Sequence, residues 1–184
     1  MLIRTLDLVF AICGLIITLP LTIFILILGF FDTGSPLFIQ TRVGLHQRPF
    51  QLIKFRTMKV NTVFIATHLV SPASVTPLGS FLRRTKLDEI PQLWNVLKGE
   101  MSLVGPRPCL FNQEELIKER QLRKVFEVRP GITGLAQVSE IDMSTPVLLA
   151  QTDEIMIHQH STKNYFRYIV QTLLGSGQGD RIRS

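Results

Sequence analysis

Hydrophobic positions along this chain fall into two regimes. From Leu8 to Phe31 they run unbroken, LVFAICGLIITLPLTIFILILGFF, with no charge between Asp7 and Asp32. Beyond Pro36 they come in short bursts separated by charges and turn residues. The first regime is 24 residues long, enough for a helix to reach across a hydrocarbon core of roughly 30 Å. A cleaved leader is not expected, because its apolar stretch would be shorter and would end in small residues. Nor does a domain of this size accommodate so long a helix buried on every side. The run therefore reads as membrane-inserted.

Pro20 lies near the middle of the run, where it removes one backbone hydrogen bond and bends the helix. Arg42, Arg48, Lys54, Arg56 and Lys59 follow, opposed by Asp32, which places the C-terminal side in the cytoplasm. Arg4 makes the N-terminal flank positive as well. Two geometries satisfy these facts: a kinked single span, and a helix that dips into one leaflet and returns to the same face.

In the second regime, Leu37–Thr41 and Pro49–Phe55 are β-like runs around a Gly-containing loop, Val43–Arg48, and predict a hairpin. If the second run is extended, Lys54 and Arg56 share a face. Residues 59–80, rich in Thr, Val, Ser and Pro, read as a surface loop. Pro91 interrupts any helix over residues 81–97 and leaves Asp88 and Glu89 near a helix start, where free N–H groups favour phosphate. Asn112 and Glu115 resemble a capping box opening a helix to about Phe126. Turns are marked by Gly99, Gly105-Pro106, Arg129-Pro130-Gly131 and Gly134. The last periodic segment, Lys163–Leu174, aligns Tyr165, Phe166, Ile169, Val170, Leu173 and Leu174. That stripe packs on the core, or lies on a membrane with Lys163 and Arg167 toward the head groups. The expected fold is α+β, mainly helical and membrane-associated. Residues 1–32 form the membrane element, and residues 33–184 form a catalytic domain with a short hairpin and amphipathic interfacial helices.

Composition narrows the function. The 184 residues carry 20 basic and 14 acidic side chains, a net charge of +6, and are 46% hydrophobic. Global disorder is excluded by that apolar content. A basic excess serves nucleic acid, anionic lipid or phosphorylated substrates alike. No nucleic-acid recognition motif is visible and phosphates account for the cations, so no nucleic-acid partner is expected. Cys13 and Cys109 sit in dissimilar contexts, one apolar and one polar, and a disulfide is not expected. His158 and His160 read as surface polar residues; no zinc spacing, P-loop or dinucleotide glycine motif is present.

Candidate chemistry concentrates in residues 81–108, FLRRTKLDEIPQLWNVLKGEMSLVGPRP, where Asp88 and Glu89 lie among Arg83, Arg84, Lys86 and Arg107. Adjacent charges near a helix start can be a solvated first turn. The same residues suit phosphoryl transfer, since an aspartate can attack phosphorus and form an aspartyl-phosphate. Incoming phosphate charge is then shielded by arginines or by Mg²⁺ held by a carboxylate and substrate phosphates.

Taken in order, several motifs resemble the bacterial sugar transferase family, the small monotopic phosphoglycosyl transferases. They are Arg4 and Asp7 before the Pro-interrupted run, Lys54-Phe55-Arg56-Thr57-Met58, Arg83 to Asn95, Gly99 to Pro108 (GEMSLVGPRP) and Arg129 to Val138 (RPGITGLAQV). The resemblance implies a Mg²⁺-dependent enzyme of the bacterial inner membrane, with its catalytic domain on the cytoplasmic face. It implies that Asp88 attacks the sugar-bearing phosphate of a UDP-sugar and expels UMP. Polyprenyl phosphate, in the form of undecaprenyl phosphate, then takes the phosphosugar, the first membrane step of glycan assembly. By the same likeness Glu89 is a general base or metal partner, and Asp88 is also a candidate metal ligand. Lys54, Arg83 and Arg107 are phosphate contacts, with Arg129 and Gln137 as weaker candidates. The break at Pro20 corresponds to a re-entrant helix in contact with membrane lipid.

Two departures stand out. Leu19 replaces the Ser that relatives often carry before the proline, and Ser139-Glu140-Ile141-Asp142 replaces an Asn-Gly-Arg continuation. The second leaves the sugar open. Two rival readings use the same residues: a membrane-anchored Mg²⁺-dependent phosphohydrolase, and a basic, non-enzymatic membrane adaptor.

Overall fold

The computed structural model describes residues 2–60 and 74–177. Most of the loop expected at 59–80 lies outside the described residues.

The apolar run forms α1, Leu2–Thr33. Pro20 lies inside this helix, past its midpoint. Having no N–H, Pro20 leaves the Ile16 carbonyl without its helical donor. One half-turn earlier the Thr18 hydroxyl donates to the Gly14 carbonyl at 2.7 Å. In length and hydropathy α1 suffices to cross a membrane. Among its residues Asp7, Ala11, Ile25 and Gly29 are buried, while Ile16 and Ile17 between them are 67% and 76% exposed.

Both ends of α1 pack on one folded body. Ala11 joins Phe50, Leu52, Val96 and Met101, and Ile25 joins Phe55 and Leu82. Arg4 donates to the carbonyls of Val96 and Met101 at 2.7 and 3.2 Å. The buried Asp7 accepts at Oδ1 from Ser102 Oγ, Leu103 N and Tyr165 Oη, each at 3.0 Å. At the other end Asp32 accepts from the Thr76 hydroxyl at 2.7 Å.

The expected hairpin is present as β1, Leu37–Val43, antiparallel to β2, Pro49–Phe55, with Leu37 opposite Phe55 and Val43 opposite Pro49. Past Phe55 the pairing continues, Arg56 N donating to the Pro36 carbonyl at 2.8 Å, and Arg56 lies on the Lys54 face, because it covers Phe38, the cross-strand partner of Lys54. Its guanidinium donates to the Ser35 and Leu37 carbonyls, at 2.8 and 3.1 Å, while stacking over that ring.

Helix α2, Pro77–Thr85, occupies the end of the segment expected to be loop. Thr76 caps it by accepting from Gly79 N at 2.9 Å, with Pro77 as the first helical residue, an arrangement that favours helix initiation. Lys86 closes α2 in a left-handed conformation (φ 57°). A short 3₁₀ turn, Leu87–Glu89, follows, and then α3, Gln92–Lys98, with Pro91 at its start. Asn95 of α3 fastens the helix to β2, accepting from Ile53 N at 3.1 Å and donating to the Gln51 carbonyl at 2.7 Å.

Strands β3, Ser102–Val104, and β4, Gly131–Thr133, run parallel. The backbones of Gly105 and Gly131 touch, so that a Cβ on Gly131 would collide with the Gly105 main chain. Helix α4, Glu114–Leu122, begins without the capping box read from Asn112. The neighbouring Gln113 side chain instead accepts from Leu110 N at 2.8 Å. The remaining helices are α5, Leu135–Val138, α6, Pro146–His158, and α7, Thr162–Leu173. The apolar stripe of α7 divides. Tyr165 and Tyr168 pack with Val104 and Met156, whereas Phe166, Val170 and Leu173 are exposed. Phe166 meets Phe10 of α1 edge-on at 5.9 Å.

Candidate active site

Strand β2 delivers the first site residue. Phe50 and Leu52 turn into the core, and Lys54, next on that side by strand alternation, sends its Nζ to Glu89 Oε1 at 3.0 Å. Arg107 Nη2 stands 3.9 Å from the same oxygen. These three side chains are only 12–23% exposed, so their mutual attraction is less screened than on an open surface. Asp88 precedes Glu89 in the 3₁₀ turn and is 7% exposed. Lys86 donates to the carbonyls of Thr172 and Ser176 at 3.3 and 2.6 Å. Its amine is held below the usual lysine range chiefly by burial; Glu89 opposes that effect and Arg107 adds to it.

A small, shallow cleft is lined by Arg42, Lys54, Glu89, Gln92, Arg107 and Gly131, among others. Three cations and a carboxylate in one cleft form a setting for an anionic ligand. Two further arginines fix the wall that carries Arg107. Arg120 Nη1 donates to the Arg107 carbonyl at 2.7 Å, and Arg42 Nη1 to the Pro108 carbonyl at 3.2 Å. Arg120, from α4, is itself gripped by Asp153 of α6, with Nε and Nη2 at 3.0 and 2.7 Å from Oδ2. Burial raises the Asp153 carboxyl above its ordinary range, and Arg120 pulls it back. Burial likewise raises the Cys109 thiol beside them, and both cysteines are free.

The sequence candidates separate in space. Lys54, Glu89 and Arg107 converge, and Asp88 is adjacent to them in the chain. Arg83, in the last turn of α2, donates through Nε to the Thr57 hydroxyl at 2.8 Å. Among the described residues, neither Arg129 nor Gln137 lines the Glu89 cleft. Arg129 Nε donates to the Gly99 carbonyl at 2.8 Å, and the residue borders a larger hollow with Arg4, His46 and His160. Gln137 Nε2 donates to the Gly105 carbonyl at 3.3 Å. Arg42, Gln92, Arg120 and Asp153 were not singled out as functional. Gln92 lay three residues beyond Glu89, one helical turn on, which was the available signal. Nothing in the sequence links Arg120 to Asp153.

No group of three or more His, Cys, Asp or Glu side chains suited to a metal occurs among the described residues. The carboxylates at hand are Asp88 and Glu89, a set that fits Mg²⁺ only as it is held in many phosphoryl-transfer sites, by one or two carboxylates together with substrate phosphates.

The site is a basic, partly enclosed carboxylate cleft on a body that bears a helix long and apolar enough to cross a membrane. The chain belongs to the bacterial sugar transferase family, whose model matches residues 1–177. It is 44% identical over 137 residues to the "uncharacterized sugar transferase EpsL" of Bacillus subtilis, covering 74% of this chain and 67% of that protein. It is 37% identical over 164 residues to the undecaprenyl-phosphate galactose phosphotransferase of Salmonella typhimurium, covering 78% of this chain and 34% of the relative. With the UDP-glucose:undecaprenyl-phosphate glucose-1-phosphate transferase of Escherichia coli it shares 46% identity over 112 residues, 58% of this chain and 24% of the relative. The chain thus spans about a third or less of several longer relatives.

Proposed function

We propose that this protein transfers a sugar-1-phosphate from a UDP-sugar to polyprenyl phosphate, in bacteria undecaprenyl phosphate, and releases UMP. The observation that carries the reading is the buried Asp88 beside a Glu89 whose Oε1 meets Lys54 at 3.0 Å and Arg107 at 3.9 Å, on a body that bears an exposed apolar helix. Family membership and the printed activities of the Salmonella and Escherichia relatives support it.

In the first step an Asp88 carboxylate oxygen attacks the phosphorus bearing the sugar. A P–O bond to Asp88 forms, and the bond to the bridging oxygen breaks, the oxygen leaving with UMP. In the second, an oxygen of polyprenyl phosphate attacks the same phosphorus, the P–O bond to Asp88 breaks, and the carboxylate is restored. Lys54 and Arg107 offset the phosphate charge that would otherwise repel two carboxylates. Glu89, held by both cations, orients them or accepts a proton. Asp88 and Glu89 would hold Mg²⁺ with the substrate phosphates, where it would supply charge neutralisation.

The membrane arrangement belongs to the same reading. Arg4 and Asp7 at one end of α1, and Asp32 at the other, bind the same body. A helix crossing straight through a bilayer would carry one of these ends away from it. That supports a re-entrant α1 with the catalytic body on the cytoplasmic face of the inner membrane. The exposed Phe166, Val170 and Leu173 of α7, continuous with Phe10, would rest on the same interface.

Asp88→Asn should abolish UMP release and Glu89→Gln should impair it severely. Quenching with labelled UDP-sugar should leave label on the parent protein and none on Asp88→Asn. Normal UMP release by Asp88→Asn rules out the nucleophile. Turnover without lipid acceptor would favour a phosphohydrolase.

A further inference from the structure

Gln92 opens α3 and lies in the wall of the Glu89 cleft. It is 2% exposed, yet its Nε2 is buried with no hydrogen-bond partner among the described residues. Buried amide donors are nearly always paired, because an unpaired one forfeits its hydration without compensation. Leu or Met at this position would fill the same space without that loss. The residue that carries the orphan donor lines the cleft with Arg42, Lys54 and Arg107, so a ligand drawn there is an anion rich in acceptor oxygens. A carboxamide N–H cannot ligate a cation, and it has no charge to offer a carboxylate in place of the three cations already present. It can supply direction, one N–H aimed at one oxygen.

We propose that Gln92 is a substrate-binding residue whose Nε2 donates to a non-bridging oxygen of the phosphoryl group presented to Asp88. The inference rests on the function proposed above and adds a role to it. Cations hold a phosphate by charge and tolerate rotation, whereas a fixed amide donor selects one orientation. Gln92 therefore sets which face of the phosphorus is turned toward the carboxylate. Its donor goes unpaired in the free protein and is satisfied when substrate enters.

The assignment has an unusual signature: stability and activity move in opposite directions. In the full-length protein in lipid nanodiscs, Gln92→Met should melt at or above the parent temperature, because an unpaired polar group is gone. Its kcat/KM for UMP release from UDP-sugar should fall about tenfold to a hundredfold, the range of a hydrogen bond to a charged acceptor. Gln92→Glu should be at least as impaired, since it replaces the donor with a repelling charge. A Met variant that melts below the parent, or keeps its kcat/KM, overturns the proposal. So does a Glu variant with parental activity, which would make the side chain an acceptor. If the parent itself releases no UMP from any UDP-sugar, the functional reading fails instead. The thermal shift produced by inorganic pyrophosphate then decides Gln92: a shift lost in Gln92→Met sustains the donor role, and a retained one overturns it.

Discussion

Replacing Asp7 tests whether the membrane helix is fastened to the folded body by a buried polar joint. Its Oδ1 accepts from Ser102 Oγ, Leu103 N and Tyr165 Oη, each at 3.0 Å, and the residue is 2% exposed. Hydrogen bonds to a charged acceptor contribute about 1.5–3 kcal/mol each, and a buried donor left unpaired costs about 1–3 kcal/mol. In Asp7→Leu the two hydroxyls can rotate toward other acceptors, but the Leu103 amide cannot. The expected loss is therefore about 4 kcal/mol. Asp7→Asn keeps an acceptor oxygen and forfeits the charge, for about 2 kcal/mol. In a chain of this size about 1 kcal/mol moves the midpoint by about 2–4 °C. Melting in nanodiscs should thus fall by roughly 8–16 °C for Leu and by roughly 4–8 °C for Asn, scaled from those values. Tyr165→Phe alone should cost about 1.5–3 kcal/mol, and almost nothing in the Asp7→Leu background, because the shared bond is already gone. An Asp7→Leu melt within 2 °C of the parent, or full additivity with Tyr165→Phe, would refute the joint.

The other predictions address separate features. Gly131→Ala should destabilise by about 3 kcal/mol or more, since its Cβ meets the Gly105 backbone and a packed main chain cannot yield cheaply; chemical denaturation would register it. The buried Arg120–Asp153 pair should be replaceable by Met and Leu with little loss of melting temperature, as apolar residues often match such pairs. Either single replacement should cost about 3–5 kcal/mol. The Tyr165 phenol is pushed above its ordinary value of about 10 by burial and then by the Asp7 carboxylate. Above that pH the unfolded chain loses this proton while the folded one keeps it, so the Tyr165 contribution to stability falls as pH rises. Alkaline unfolding monitored by tyrosinate absorbance should show this, and Tyr165→Phe should flatten it.

Much of the architecture was legible where local chemistry and tertiary fold agree. The hairpin followed from two β-rich runs about a glycine loop, and the carboxylate pair fell, as read, between two helices parted by Pro91. Lys54 was legible because strand alternation continues that far. Arg56 shares the Lys54 face, lying over the ring of Phe38, which pairs with Lys54 across the hairpin; the reach of its guanidinium to the Ser35 carbonyl had no signal in the sequence. The start of α2 was missed although Thr76-Pro77 is a good initiation pair; the surrounding Ser, Thr and Pro masked it. Arg129 and Gln137 sit in motifs that resemble a catalytic family, yet they bond main-chain carbonyls of neighbouring loops. Arg120 and Asp153 lie 33 residues apart, and no periodicity couples a buried pair drawn from two different helices. The opposed faces of α7 were likewise invisible, because Tyr168 packs inward only once β3 and α6 are in place.

The Asp7 joint also sets an order of assembly. Its partner Tyr165 lies 158 residues further along the chain. At about 5–20 residues per second of synthesis, roughly 8–30 s separate the two on the ribosome. During that interval the helix has left the ribosome while its carboxylate still lacks the donors that will enclose it. The membrane segment is therefore first in and last secured. Its place against the body is settled only when the whole domain closes.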